Sequence, residues 1–338
     1  MTKTKSKNPF LQPPATPGNG TVHLTHIPPS TLALSTLTYH YPLKLIAPTP
    51  LQSSDSLPVQ TLYLLSYGGG ILASDTLSLS IHQSPLTRLL LLTQGSTKIF
   101  KSPSPERLSR QRLDVKLDPG AALCQLPDPV QPFADSAFAQ RQTYRLPSPG
   151  GGGGSGEGKA SLCVLDWVCQ GRAARGERWD MRQYESRSDV LEGDGTAEKL
   201  LVRDSLALRR TESGRRVDEL MQGLGVYGTL VLYGPLMEGL GEYFHAEFRA
   251  MPRIGSRKWD DGGEDEGEES EDEVRRAARL GEEGRDGLLW SVASLRGCTV
   301  VKFGARDVEG GKRWLRTMLE VEGSVVKYFG ERALLCLK

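Results

Sequence analysis

Apolar and polar residues alternate in many short runs. Leu113, Val115 and Leu117 interleave with Asp114 and Lys116, and Leu77, Leu79 and Ile81 do the same shortly after Asp75. A period of two sends successive side chains to opposite faces, so these runs predict half-buried strands. Residues 61–67 and 75–82 form one such pair around a glycine run. Further strands are expected within 20–45, 87–101, 112–117, 121–132, 140–146, 160–168, 200–208, 229–233 and 242–251. Two more flank Arg296-Gly297 within 288–303. Only 312–321 carries a clear helical stripe, with Trp314, Leu315, Met318 and Leu319 on one face. The pattern also allows a short helix at 274–280. Many short strands, few helices and frequent turns predict an all-β sandwich, barrel or strand stack, and periodicity does not choose among them.

The breaks between strands are as informative as the strands. Gly68-Gly69-Gly70 lets the backbone take positive φ and lets another segment approach closely. A phosphate cradle requires more: a Lys-Ser/Thr pair opening a helix, or spaced glycines doing so. Here the glycines are contiguous, no such lysine follows, and the next residues alternate as a strand, so the run is a structural turn. Asp118-Pro119-Gly120 has turn chemistry, and the prolines of Pro127-Asp128-Pro129-Val130-Gln131-Pro132 impose an extended path. Residues 1–20, rich in Lys, Pro, Thr and Gly, read as a disordered tail. Residues 21–338 read as a single β-rich domain carrying two flexible insertions, a Gly/Ser loop at 147–159 and an acidic one at 255–287.

Charge changes this picture locally. The 338 residues carry 42 basic and 41 acidic side chains, but 8 of the acids lie within 263–273. The remainder has 42 basic against 33 acidic side chains, a net of +9, so a moderately basic body carries an acidic tether. Cys124, Cys163, Cys169, Cys298 and Cys336 are scattered without a Cys-x-x-Cys pair, which argues against a zinc ribbon or a disulfide framework. The absence of a long apolar run predicts no membrane span and no signal peptide, and a reduced cytoplasmic location. His23 and His26 sit on opposite faces of a strand and make a poor metal pair with His40. No Gly-x-Ser-x-Gly nucleophile elbow is present, so catalysis finds little support. Asp166 stands out beside Trp167 in an apolar strand, because a buried carboxylate requires partners. Arg172, Arg175 and Glu177 read either as a solvated, cross-paired hairpin or as the charged lining of an interface or channel.

Several motifs occur in one order: Leu65-Ser66-Tyr67-Gly68-Gly69-Gly70 through Asp75, then Leu92-Thr93-Gln94-Gly95-Ser96-Thr97-Lys98-Ile99-Phe100-Lys101. Pro127-Asp128-Pro129-Val130-Gln131-Pro132-Phe133, Leu165-Asp166-Trp167 and Gly171-Arg172-Ala173-Ala174-Arg175-Gly176-Glu177 follow. In this order the chain resembles the urease accessory protein D family (UreD, called UreH in some bacteria) over residues 35–335. The resemblance implies a β-helix-like strand stack with a few helices near the C-terminus. It implies a non-enzymatic scaffold that binds accessory protein F, through it the accessory GTPase G, and apo-urease. Nickel, with no tightly bound cofactor, would pass through an internal tunnel to the urease active site.

A transfer path suits oxygen ligands weak enough to release the ion. On that ground Asp75, Asp166 and Glu177 are the candidate nickel-path residues, with Arg175 setting the local field. Two other classes compete: a generic β-rich module that binds protein or glycan, and an all-β hydrolase or lyase. Turnover by the isolated chain would mark the enzyme; binding without any effect on urease would mark the module. The stripe at Trp314, Leu315, Met318 and Leu319 is expected to face either the core or accessory protein F, the core being the ordinary outcome for an apolar helix face.

Overall fold

Through the middle of the chain, over residues 58–192, the long strands fall alternately into two sheets. The first sheet contains β1 (Asn19–Ile27), β2 (Thr31–Tyr39), β6 (Thr76–Gln83), β9 (Ser109–Leu117), β12 (Ala137–Leu146), β14 (Gln183–Glu192) and β15 (Lys199–Arg209). The second is built on β3 (Leu43–Ile46), β5 (Pro58–Ser66), β7 (Arg88–Leu92), β10 (Ala122–Gln125), β13 (Ser161–Cys169), β16 (Val226–Tyr233), β17 (Leu289–Leu295) and β18 (Cys298–Ala305). Three short strands join its margin: β4 (Leu51–Gln52), β8 (Thr97–Ile99) and β11 (Val130–Pro132). Because the long strands from β5 to β14 cross between sheets at each step, the central neighbours are parallel: β1, β6, β9, β12 and β14 in one sheet, and β5, β7, β10 and β13 in the other. The later strands β16, β17 and β18 pair antiparallel. The computed structural model describes residues 16–27, 31–148, 158–193, 197–210, 216–251 and 271–338, without the side chains of 271–273.

The helices collect in the C-terminal half: α1 (Val217–Met221), α2 (Glu238–Arg249), α3 (Glu271–Asp286), α4 (Val308–Glu322) and α5 (Ser324–Phe329), followed by a 3-10 turn at Glu331–Leu337. They divide the interior into two cores. Leu79, Ile81, Leu113, Val115, Leu123 and Leu162 fill the space between the sheets. Leu165, Trp167, Leu230, Phe244, Phe303 and Leu315 fill the space between the second sheet and the helices. The second sheet is therefore covered on both faces, which explains why β13 is a nearly unbroken apolar run instead of an alternating one.

The strand-rich expectation, with helices toward the C-terminus, holds. The glycine run plays both parts expected of it. Gly68 and Gly69 take φ of 82° and 74° in a 3-10 turn at Tyr67–Gly69. Gly70 is extended, and a Cβ on it would lie 2.4 Å from Phe100 Cε2 and 2.8 Å from the Lys98 carbonyl oxygen. Four local readings are revised. Residues 242–251 read as a strand, but 242–249 belong to helix α2, where Leu240, Phe244 and Phe248 recur every fourth position, and Ala250 caps its end. The helix allowed at 274–280 extends over Glu271–Asp286. Strand β14 had no counterpart in the pattern, because its inward residues include Ser186 and Ser188 among Tyr184 and Val190. Residues 1–15 of the expected tail, the poly-Gly stretch 149–157 and residues 255–270 of the acidic insertion lie outside the described residues, while Asn19 and Gly20, read as part of that tail, already belong to β1.

Candidate functional site

Along β13 the side chains split by face. Cys163, Leu165, Trp167 and Cys169 join the helix-side core, while Leu162, Val164 and Val168 join the inter-sheet core. Asp166 has the phase of the second set and points between the sheets, where it lines a cavity. Its partners come from two strands of the opposite sheet. Gln140 Nε2 on β12 donates to Oδ1 at 2.6 Å. The hydroxyls of Ser186 and Ser188 on β14 donate to Oδ2, the latter at 3.2 Å. Burial pushes the Asp166 carboxyl above its ordinary value; the two serine hydrogen bonds oppose that, and the charge of Asp204 adds to it.

The network continues away from the carboxylate. Gln125 Nε2 donates to Gln142 Oε1 at 2.6 Å, and the Tyr144 hydroxyl donates to the same oxygen at 2.8 Å. Gln142 Nε2 reaches Ser188 Oγ at 3.4 Å. The cavity that Gln111, Gln125, Gln140, Gln142 and Asp166 line has about 30 Å³ open to water-sized molecules, space for roughly two waters. Asp128 is the second carboxylate on its wall. Lys312 of α4 neutralises it at 3.0 Å, and Gly95 N donates to it at the same distance. The glutamines and serines were missed because amides and hydroxyls carry no motif, and Asp128 was read only as part of a proline-fixed extended path. The available signal was phase: Gln140 and Gln142 share the inward face of β12 with Tyr144 and Leu146.

The other nominated residues lie elsewhere. Asp75 sits in the turn before β6, where its Oδ2 accepts from Leu72 N at 3.1 Å, and it is not part of the cavity lining. Glu177 is forked by Arg172 and accepts from Ala134 N at 3.2 Å. Arg172 holds the Glu177 carboxyl below the usual range, against the opposing effect of burial. Arg172 also lies over the Phe133 ring, 4.0 Å from its centroid, so this pair pins the 171–179 loop to β11's end. Arg175, on the 3-10 turn Ala173–Arg175, is exposed. Arg172, not Arg175, therefore sets the charge at Glu177. Among the described residues no group of three or more His, Cys, Asp and Glu is placed to hold a metal ion.

The chain matches the family model described as UreD urease accessory protein over residues 18–333. It belongs to the UreD family. It is 30% identical to urease accessory protein 4 of Cryptococcus neoformans var. grubii, with 96% of each chain covered. It is 31% identical to urease accessory protein UreD of an Anaeromyxobacter species over 82% of this chain and 76% of that one. Urease accessory protein D of Arabidopsis thaliana is also 31% identical, over 62% of this chain and 66% of its own. In this UreD-family chain the interior site offers a carboxylate, amide oxygens and hydroxyls, with no thiol or imidazole among its lining residues. That donor set is hard and weakly coordinating, suited to brief contact with a hydrated cation and unsuited to storing one. No described helix is long and apolar enough to cross a membrane.

Proposed function

We propose that this chain is a non-enzymatic scaffold of urease maturation that passes nickel toward apo-urease through the polar interior around Asp166. The observation that carries the reading is Asp166, held by Gln140, Ser186 and Ser188 with no basic side chain among the described residues paired to it, on the wall of a polar cavity whose other carboxylate, Asp128, is neutralised by Lys312. Burial disfavours the lone charge of Asp166, and a passing dication offsets that cost only while it is present. Asp166 thus favours entry without retaining the ion. The alternating, parallel strands support a β-helix-like stack of coils, whose interior runs along the stacking direction. The names of the relatives support an accessory role in place of catalysis. In this reading the scaffold works in the cytoplasm and engages apo-urease, accessory protein F and, through F, the GTPase accessory protein G.

The test is reconstitution of apo-urease with its other accessory proteins, with and without this chain, reading nickel content and activity together. Omission is expected to lower both. Asp166→Asn is expected to lower both while leaving the assembled complex intact, and full nickel loading by that variant would end the reading. Asp75→Ala and Glu177→Ala run beside it, because both residues are committed to local contacts with Leu72 and Arg172.

A further inference from the structure

The outer face of the first sheet, away from both cores, carries a row of like charges. Arg112 on β9, Arg141 on β12 and Arg187 on β14 are register partners on three adjacent parallel strands. Neighbouring strands lie about 4.8 Å apart, so three guanidinium-bearing side chains leave a flat surface abreast. Like charges directly opposite one another destabilise a sheet unless something answers them. One carboxylate does so in part. Asp189, buried under the row, accepts from Arg203 Nε at 2.6 Å, Arg187 Nε at 2.8 Å and Arg141 Nη2 at 3.5 Å. A single negative charge therefore faces three arginines. Arg112 is exposed beside them, and the nearest acid on its own strand, Asp114, is committed to Arg145 at 3.0 Å.

We infer that this face docks a protein partner through carboxylates on that partner. Asp189 orients the guanidinium groups and leaves an excess of positive charge at the surface, where planar forks match carboxylates two bonds at a time. Nucleic acid fits less well. The outward positions of β9 and β12 are Arg110, Arg112, Asp114 and Lys116, and Ala139, Arg141, Thr143 and Arg145, which include no aromatic ring to stack on a base. Acidic residues interrupt the positive field, which a continuous phosphate backbone would meet as repulsion.

The test uses the full chain and a fluorescent deca-glutamate peptide, with a ten-nucleotide single-stranded DNA as the competing probe, read by anisotropy. The peptide is expected to bind at low salt and to lose affinity several-fold between about 50 and 200 mM NaCl. Arg112→Glu/Arg141→Glu is expected to weaken it about tenfold or more. The charge-matched control Lys98→Glu/Arg316→Glu, on exposed or paired surface elsewhere, is expected to leave it within about twofold. Arg112→Gln/Arg141→Gln gives the same answer with less risk to folding, and the thermal midpoint of each variant is read alongside. Absence of peptide binding, or equal loss in the control, overturns the inference. DNA binding that is tighter and equally sensitive to the Arg112/Arg141 changes overturns it in favour of a nucleic-acid surface. No step requires nickel or urease, so failure here leaves the reading of the interior untouched.

Discussion

Asp166 shows how one side chain can sit at odds with its own strand. Every neighbour along β13 is apolar or small, and the carboxylate is tolerated because Gln140, Ser186 and Ser188 reach it from the opposite sheet. The sign of its shift makes a prediction. A carboxyl whose folded value is raised binds its proton more readily when folded, so it costs stability above that value and stops doing so as pH falls toward the ordinary 3.8. Asp166→Asn is therefore expected to raise the thermal midpoint at pH 7, with the gain shrinking as pH falls toward 3.8. Thermal melts of both proteins at neutral and acidic pH check it; a variant that melts lower at pH 7 would mean that the ionised form is worth more folded than its burial suggests.

At the scale of elements, α4 and α3 illustrate opposite degrees of legibility. The apolar stripe of α4 was visible, and its ends have physical causes. The Asp307 side chain accepts from Gly310 N at 2.7 Å at the start, and Gly323 takes a left-handed φ of 86° at the end. The stripe faces the chain's own core. Trp314 is packed among Phe244, Trp290 and Phe303, and its indole donates to Glu283 at 3.0 Å. Trp314→Ala is expected to cost about 3–5 kcal/mol, and Trp314→Glu more, because it also buries an unpaired charge. A chemical-denaturation series measures this, and an unchanged midpoint would return the helix face to a partner. Helix α3 has no such stripe. Arg279, buried, reaches Glu247 of α2 at 2.7 Å and Glu283 at 3.3 Å, so buried charge, in place of an apolar face, holds this helix.

Across the whole molecule, one arginine ties the first part of the domain to its end. Arg88, buried at the start of β7, forks Asp55 with both contacts at 2.6 Å and donates to the Tyr328 carbonyl at 3.1 Å. That arginine holds the Asp55 carboxyl down to about 2 from 3.8, with burial opposing. A depressed carboxyl stabilises the fold above its ordinary value and loses that contribution as pH falls from 3.8 toward about 2. Asp55→Asn is expected to cost about 1–2 kcal/mol at pH 7, discounted because the carboxylate is partly in solvent, and the difference from wild type is expected to fade below that window. Urea titrations at neutral pH and at pH near 2 test both statements.

The sequence by itself determined the local geometry and the class of protein. Alternating Leu, Ile and Val placed β6 and β9, and the contiguous glycines announced both a positive-φ turn and a close approach. The order of motifs carried the family, which the match over 18–333 establishes. These are properties of neighbouring residues, and steric and hydrophobic rules act on neighbours. Tertiary structure alone decided that the long strands from β5 to β14 alternate between sheets, because pairing depends on which distant backbone is within hydrogen-bonding reach. It alone joined Gln140, Asp166, Ser186 and Ser188 into one site and set Arg112, Arg141 and Arg187 abreast. Asp75 and Glu177 looked equivalent to Asp166 as isolated carboxylates. What separated them was their partners: a local amide for Asp75, an arginine fork for Glu177, and an interior cavity for Asp166.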